Sequence, residues 1–115
     1  MISSLPCRTS FIIEYTVSPS MVSLYPNNSN MLELNELIAY PMDDERLTSI
    51  ISMDELKELG LLLKHTSPDS PVVSYNCKAR LNNEIHSINI ICRSVWNSRS
   101  EFCGAIGKAA DLGIA

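Results

Sequence analysis

The clearest pattern along the chain lies in its second half. In VVSYNCKARL, Val73, Tyr75, Cys77, Ala79 and Leu81 fall on one face, and Ser74, Asn76, Lys78 and Arg80 on the other. That is the period of two of a strand with one buried face. Asn82 and Asn83 follow, and Asn tolerates the positive φ of a tight hairpin turn. With these two residues as the loop, Leu81 faces Glu84, Ala79 faces His86, Cys77 faces Ile88, Tyr75 faces Ile90 and Val73 faces Cys92. Apolar meets apolar, and a slip of one residue would destroy the match. EIHSINIICRSVW is therefore the partner strand. NSRS (97–100) is a loop, and EFCGAIGKAAD is the last strand.

The first half is more mixed. FIIEYTV (11–17) and MVSLY (21–25) are rich in β-branched and aromatic residues and predict two strands about an SPS turn. PNNSN (26–30) has loop chemistry. MLELNELIAY has apolar residues at 31, 34, 37 and 38, which predicts a short helix on the core, stopped by Pro41. MDDERLTSI reads as short helical turns or loop. A second helix opens on the capping box SMDE: Ser52 is to accept from the Glu55 N–H, and the Glu55 carboxylate to reach back to the Ser52 N–H. Ile51 and Leu56 stand at hydrophobic-staple positions, and Met53, Leu56, Leu59 and Leu63 form the apolar stripe. Gly60 inside this helix suggests a close backbone contact, and SPDSP (67–71) ends it. The order is two strands, a helical middle and three long strands. It predicts an α+β fold, a five-stranded antiparallel sheet with short helices packed on one face. Residues 1–10, Ser-rich with Pro6, read as a flexible lead-in; 11–112 form the domain; 113–115 begin a linker.

Composition narrows the function. A chain of 115 residues is one domain. A hydrophobic fraction of 45% against 19% charged places it among globular proteins rather than disordered ones. A net charge of −4 speaks against a nucleic-acid partner or a polybasic membrane patch. No stretch approaches the roughly 20 apolar residues of a membrane-spanning helix, and MISSLPCRTS lacks the features of a secretory signal. Cys7, Cys77, Cys92 and Cys103 form no C-x-x-C pair. They read as reduced structural thiols of a cytoplasmic protein.

Catalytic chemistry is not evident: the chain has no nucleophile elbow, phosphate loop or metal-ligand cluster, so no enzyme is expected in it. Asp43, Asp44 and Glu45 read as a solvated charge run. His65 reads as an exposed residue at a helix end. His86 reads as a hydrogen-bonded or half-exposed histidine on the inner sheet face. That face collects Tyr75, Cys77, His86, Ile88, Ile90, Cys92 and Cys103 under Leu37, Ile38, Leu56 and Leu59. It reads either as a close-packed core or as a pocket for a small ligand.

In order and spacing, these phrases resemble the PAS domain family of bacterial signalling modules. FIIEY and LNELIAY resemble its first strand and short helix; IISMDEL the phrase opening its long helix; SYNCKARL, NNE and the strand with Arg93 and Trp96 its central hairpin. GAIGKAADLG resembles its last strand, with Gly104, Gly107, Asp111 and Leu112 in place and Gly113 where the terminal Asp-Ile-Thr motif has Thr. The resemblance implies a sensory domain binding a small ligand. Asp111 and Leu112 would relay its state to an output domain in the same polypeptide, such as a histidine kinase or a diguanylate cyclase. It also implies a homodimer; the alternative is a ligand-free homodimerisation or protein-interaction scaffold. The outer face, read from Asn76, Lys78, Arg80, Asn89 and Arg93, is polar and speaks against a large dry sheet-to-sheet dimer. Some family members place a haem-ligating His near the position of His65, but an exposed helix end does not suit haem. The flavin type needs a Cys in the helical middle, and none lies between residues 8 and 76. No cofactor is expected.

Overall fold

The computed structural model describes residues 8–26, 38–41, 44–81 and 83–115. Six strands and two helices follow in the order β1 (Arg8–Thr16), β2 (Met21–Pro26), β3 (Ile38–Pro41), α1 (Glu45–Thr48), α2 (Met53–Lys64), β4 (Val72–Leu81), β5 (Glu84–Trp96) and β6 (Phe102–Ile114). They form one antiparallel sheet in the order β3-β2-β1-β6-β5-β4. The five expected strands lie side by side in it, and β3 adds a short sixth strand at the β2 edge. The helix expected over 31–40 is corrected at its end: Ile38, Ala39 and Tyr40 pair with Leu24, Ser23 and Val22. Their apolar spacing suits either element, and a strand partner far away in sequence decides between them. Residues 31–37, Leu37 among them, lie outside the described residues. β1 begins at Arg8, inside the expected lead-in, and β6 runs on to Ile114.

The hairpin register is the predicted one, from Val73↔Cys92 through Cys77↔Ile88 to Leu81↔Glu84. Asn83 has φ 63°, as a tight turn requires. The inner face joins Phe11 and Ile13 of β1, Val22 and Leu24 of β2, and Ile88 and Ile90 of β5 to Leu47, Ile51, Leu56, Leu59 and Leu63 from the helices, all buried. Each such side chain contributes about 1.5–3 kcal/mol by leaving water.

The helical layer is fastened to the β4 edge. Ser52 caps α2 by accepting the Glu55 N–H at 3.3 Å. The Glu55 carboxylate takes the Ser52 hydroxyl at 3.1 Å and the Lys78 N–H at 3.0 Å, so it closes a strand-edge donor rather than the Ser52 N–H. The Ile50 carbonyl accepts the next outward donor, Arg80 N–H, at 2.8 Å. Ile51 and Leu56 are both buried, as a staple requires. At the other end of α2, Thr66 Oγ1 lies 2.7 Å from the buried Ser94 Oγ. That hydroxyl accepts the Trp96 indole N–H at 2.9 Å and donates to the Pro71 carbonyl at 3.2 Å.

The outer face differs from the polar expectation. Beyond Val72 its β4 side is polar, but Ile91 and Val95 of β5 and Ile106 of β6 point outward and, like Val72, are about half exposed. On β5, Asn89 and Arg93 do face outward, but Ile85, Ile91 and Val95 share that side with them, so β5 is apolar on both sides over much of its length.

β6 is the strand that needs small residues. A Cβ on Gly104 would run into the Tyr15 carbonyl oxygen. One on Gly107 would run into the Ile91 carbonyl and stand 2.7 Å from Cys92 Sγ. Gly60, by contrast, has nothing within 4 Å of a Cβ, so no close contact explains it. Opposite effects are therefore expected in urea unfolding. Gly104→Ala should lose about 2 kcal/mol or more. Gly60→Ala should gain about 0.5–1 kcal/mol.

Candidate functional site

The inner face brings five of the expected site residues together. Ile88 and Ile90 are fully buried on β5, Cys92 lies two positions further along the same face, and Cys77 and Tyr75 oppose Ile88 and Ile90 from β4. Gly107 opposite Cys92 leaves the space that the thiol occupies. Cys103 stands outside this group: it is exposed, its Sγ 3.5 Å from the Glu101 carbonyl. The Tyr75 hydroxyl donates to Glu58 at 3.4 Å, tying β4 to α2. Burial first, then the Glu58 charge, pushes this phenol up to about 12. Burial likewise pushes the Cys77 thiol up to about 12 and the Cys92 thiol up to about 11. Among the described residues, Tyr15, Leu56, Leu59, Gly60 and Leu63 leave a cleft of about 20 Å³ on this side, room for one water.

His86 belongs to a different arrangement at the C-terminal end of β6. Its Nδ1 lies 2.9 Å from both Asp111 carboxylate oxygens, with side-chain exposures of 13% and 5%. The carboxylate can only accept, so the ring carries its proton on Nδ1. Glu84 Oε1 stands 3.8 Å from Nε2. Asp111 Oδ1 also accepts the Gly113 N–H at 2.8 Å. Here β6 gains a residue on β5: Ile88 faces Asp111, but His86 faces Ile114. The extra residue makes a bulge, and Gly113 at φ 109° supplies the backbone conformation it needs. Ala115 N–H then reaches the Ile85 carbonyl at 2.9 Å, so the chain stays attached to β5 beyond the bulge. Leu112 is about half exposed.

Sequence reasoning placed His86 opposite Ala79 and Asp111 at the strand end, but did not join them. The signal was present in outline. Asp111 continues the inner-face alternation of Ala105, Gly107 and Ala109, where an acid must find a partner. The Thr66–Ser94–Trp96 network was also missed, since Ser94 is polar at a position whose period-two neighbours are apolar.

The other candidates have structural employment. His65 is the exposed C-cap of α2, its Nδ1 2.7 Å from the Leu61 carbonyl. Asp44 is the N-cap of α1. The Arg46 guanidinium and backbone N–H hold its carboxyl down at about 2. Glu45 is exposed in the first turn, and Asp43 and Cys7 lie outside the described residues. Among the described residues no three His, Cys, Asp or Glu side chains are placed to hold a metal ion, and no helix is long and apolar enough to cross a membrane.

Comparison with known proteins bears on the fold. No protein-family model matches the sequence, and no curated protein sequence does. The structure is similar to the crystal structure of a sensory box histidine kinase/response regulator from Burkholderia thailandensis E264. The TM-score is 0.56 at 17% identity, over 90% of this chain and 76% of that one. The fold is thus PAS-like: the antiparallel sheet β2-β1-β6-β5-β4 with short helices on one face.

Thiol chemistry checks the inner face. With Cys7→Ser in place, Cys103 should react rapidly with a disulfide reagent. Cys77 and Cys92 should react about 100-fold more slowly or worse until denaturant is added. Both thiols stay neutral in the fold at pH values where an unfolded chain ionises them. The stability they contribute is thus complete below about pH 9 and lost as pH rises toward 11–12. Cys77→Ala/Cys92→Ala should flatten that alkaline decline.

Proposed function

We propose that this chain is the sensory domain of a signalling protein. It responds at the inner sheet face and passes its state to a following output domain through the end of β6. The supporting observation is the knot at that end. A buried carboxylate, Asp111, holds both a β5 side chain and the amide of the bulge from which the chain leaves. The structurally similar protein is a sensory histidine kinase, which makes a kinase-type output the favoured partner.

Tyr75, Cys77, Ile88, Ile90 and Cys92 are the proposed ligand-facing residues. The cleft beside Tyr15 holds little more than a water, so a ligand entering there must shift α2 from the sheet. The response is then a population shift between closed and open packing, biased by the ligand's preference for one of them. Strain at the inner face reaches Asp111 along β6, whose Ala105, Gly107 and Ala109 alternate on that face with it.

The relay is tested by opening the inner face without touching β6. Leu59→Ala removes a buried helix side chain and should cost about 2–5 kcal/mol. The Gly113 and Ala115 amides should then exchange with deuterium faster, ahead of the β1 amide of Ile13. Unchanged exchange at Gly113 and Ala115, relative to Ile13, would rule the relay out. Native mass spectrometry and an absorption spectrum of protein purified from its own host would test for a bound small molecule. A mass in excess of the chain that is lost on unfolding is expected; a clean chain mass would favour a ligand-free scaffold.

A further inference from the structure

β4 is an edge strand, and the helical layer closes only part of its free edge. The bonds that the Lys78 and Arg80 N–H groups donate to Glu55 and to the Ile50 carbonyl show that even-numbered residues turn their backbone groups away from β5. The β4–β5 register runs without a shift, so Ser74 and Asn76 do the same. Among the described residues, the N–H and carbonyl of Ser74 and of Asn76 have no protein hydrogen-bond partner on that side. Burial changes at the same place. Cys77, Ala79 and Leu81 are buried, whereas Val73 and Tyr75 are only half-buried. Asn89 Nδ2 donates to Ser74 Oγ at 3.0 Å and to Asn76 Oδ1 at 2.8 Å, so both side chains are held over the outer face, clear of the edge.

An edge of unpaired donors and acceptors is a template for another strand, and proteins ordinarily blunt it with a charge, a proline or a bulge. Residues 72–76, VVSYN, hold none of these. A strand laid antiparallel on them exchanges both backbone bonds with Ser74 and both with Asn76. It stops at Lys78, whose N–H is already taken. The helix side of the edge selects its side chains. Glu55 and Glu58 of α2 reach β4 at the Lys78 N–H and the Tyr75 hydroxyl. Leu62, one turn on from Glu58, continues that helix face and is 41% exposed. The incoming residue opposite Tyr75 therefore lies beside the exposed Glu58, and the one opposite Val73 lies toward Leu62. A cation suits the first position and an aliphatic side chain the second. The nearest β4 cation, Lys78, turns to the outer face and does not compete. Two copies paired on this edge about Tyr75 would instead bring two Glu58 carboxylates together, which electrostatic complementarity opposes. A net charge of −4 likewise favours a cationic partner.

We propose that the open stretch of β4 pairs with an extended segment of another protein, one in which Lys or Arg alternates with branched aliphatic residues on the side facing α2. This proposal does not depend on the sensory role. It is tested with two synthetic peptides of about nine residues. Both carry Thr at alternate positions; the positions between hold Lys and Ile in one peptide and Glu and Ile in the other. In NMR titrations of the isotope-labelled chain, the Lys peptide should slow deuterium exchange at the Ser74 and Asn76 amides and leave the Lys78 amide unchanged. It should bind about fivefold more tightly than the Glu peptide, by a margin that shrinks as salt rises. Glu58→Lys should reverse the preference, an outcome that loss of folding cannot imitate. Ser74→Pro removes an outward donor that β5 does not use, and it should weaken both peptides. Binding of neither peptide, equal binding of both, or binding that leaves the Ser74 and Asn76 amides unprotected would overturn the proposal. A dimer in sedimentation that Ser74→Pro dissociates would overturn it in favour of a second copy.

Discussion

The close approach of β6 to both its neighbours is the constraint on which the other features rest. This strand is the sixth in the chain and lies between β1 and β5, so it joins the N-terminal strands to the long β4–β5 hairpin. Gly104 admits the Tyr15 carbonyl, and Gly107 admits the Ile91 carbonyl and the Cys92 thiol. Small residues cost the strand apolar contact of its own. Phe11, Ile13, Ile88 and Ile90 on the flanking strands make up for it, all nearly or fully buried.

How much of this could be read from the sequence depended on whether each feature is local. The β4–β5 register was legible because a two-residue turn fixes it and ten residues alternate cleanly around that turn. The start of α2 was legible because a cap is a short-range motif. β3 was not, since Ile38, Ala39 and Tyr40 owe their strand conformation to β2 residues about sixteen positions away. The site was half legible. Period two placed Tyr75, Cys77, Ile88, Ile90 and Cys92 on one face. The His86–Asp111 contact needed the β5–β6 register and the bulge within it, and no local pattern encodes either. Glu55 shows the same limit: its capping position was evident, but its bond to the Lys78 amide required knowing what lies over the β4 edge.

The two sides of the sheet solve their electrostatics in opposite ways. On the inner side the charged groups are paired and shielded. Asp111 has His86 and the Gly113 amide, and the thiols avoid charge by remaining protonated. On the outer side Arg93 and Lys108 sit among isoleucines and remain hydrated at little cost, because their aliphatic stems cover the apolar surface while their heads stay in water. A buried carboxylate that loses its partner is strongly destabilising, whereas an exposed cation that gains one changes stability little. The inner pair is therefore the more sensitive to substitution.

The central position of the sixth strand also bears on how the protein is made. Arg8 pairs with Asp111, and Thr16 with Gly104. As the chain is synthesised, the β1–β2 hairpin exists first with the edge that will receive β6 still open. At ordinary rates of translation that interval is on the order of ten seconds. An open edge of this kind, carrying Phe11, Ile12 and Ile13 beside it, can recruit strands from other nascent chains. Crowded synthesis of this protein should therefore favour aggregates built on β1. Any piece of the chain cut before residue 102 should be bound by chaperones rather than accumulate folded.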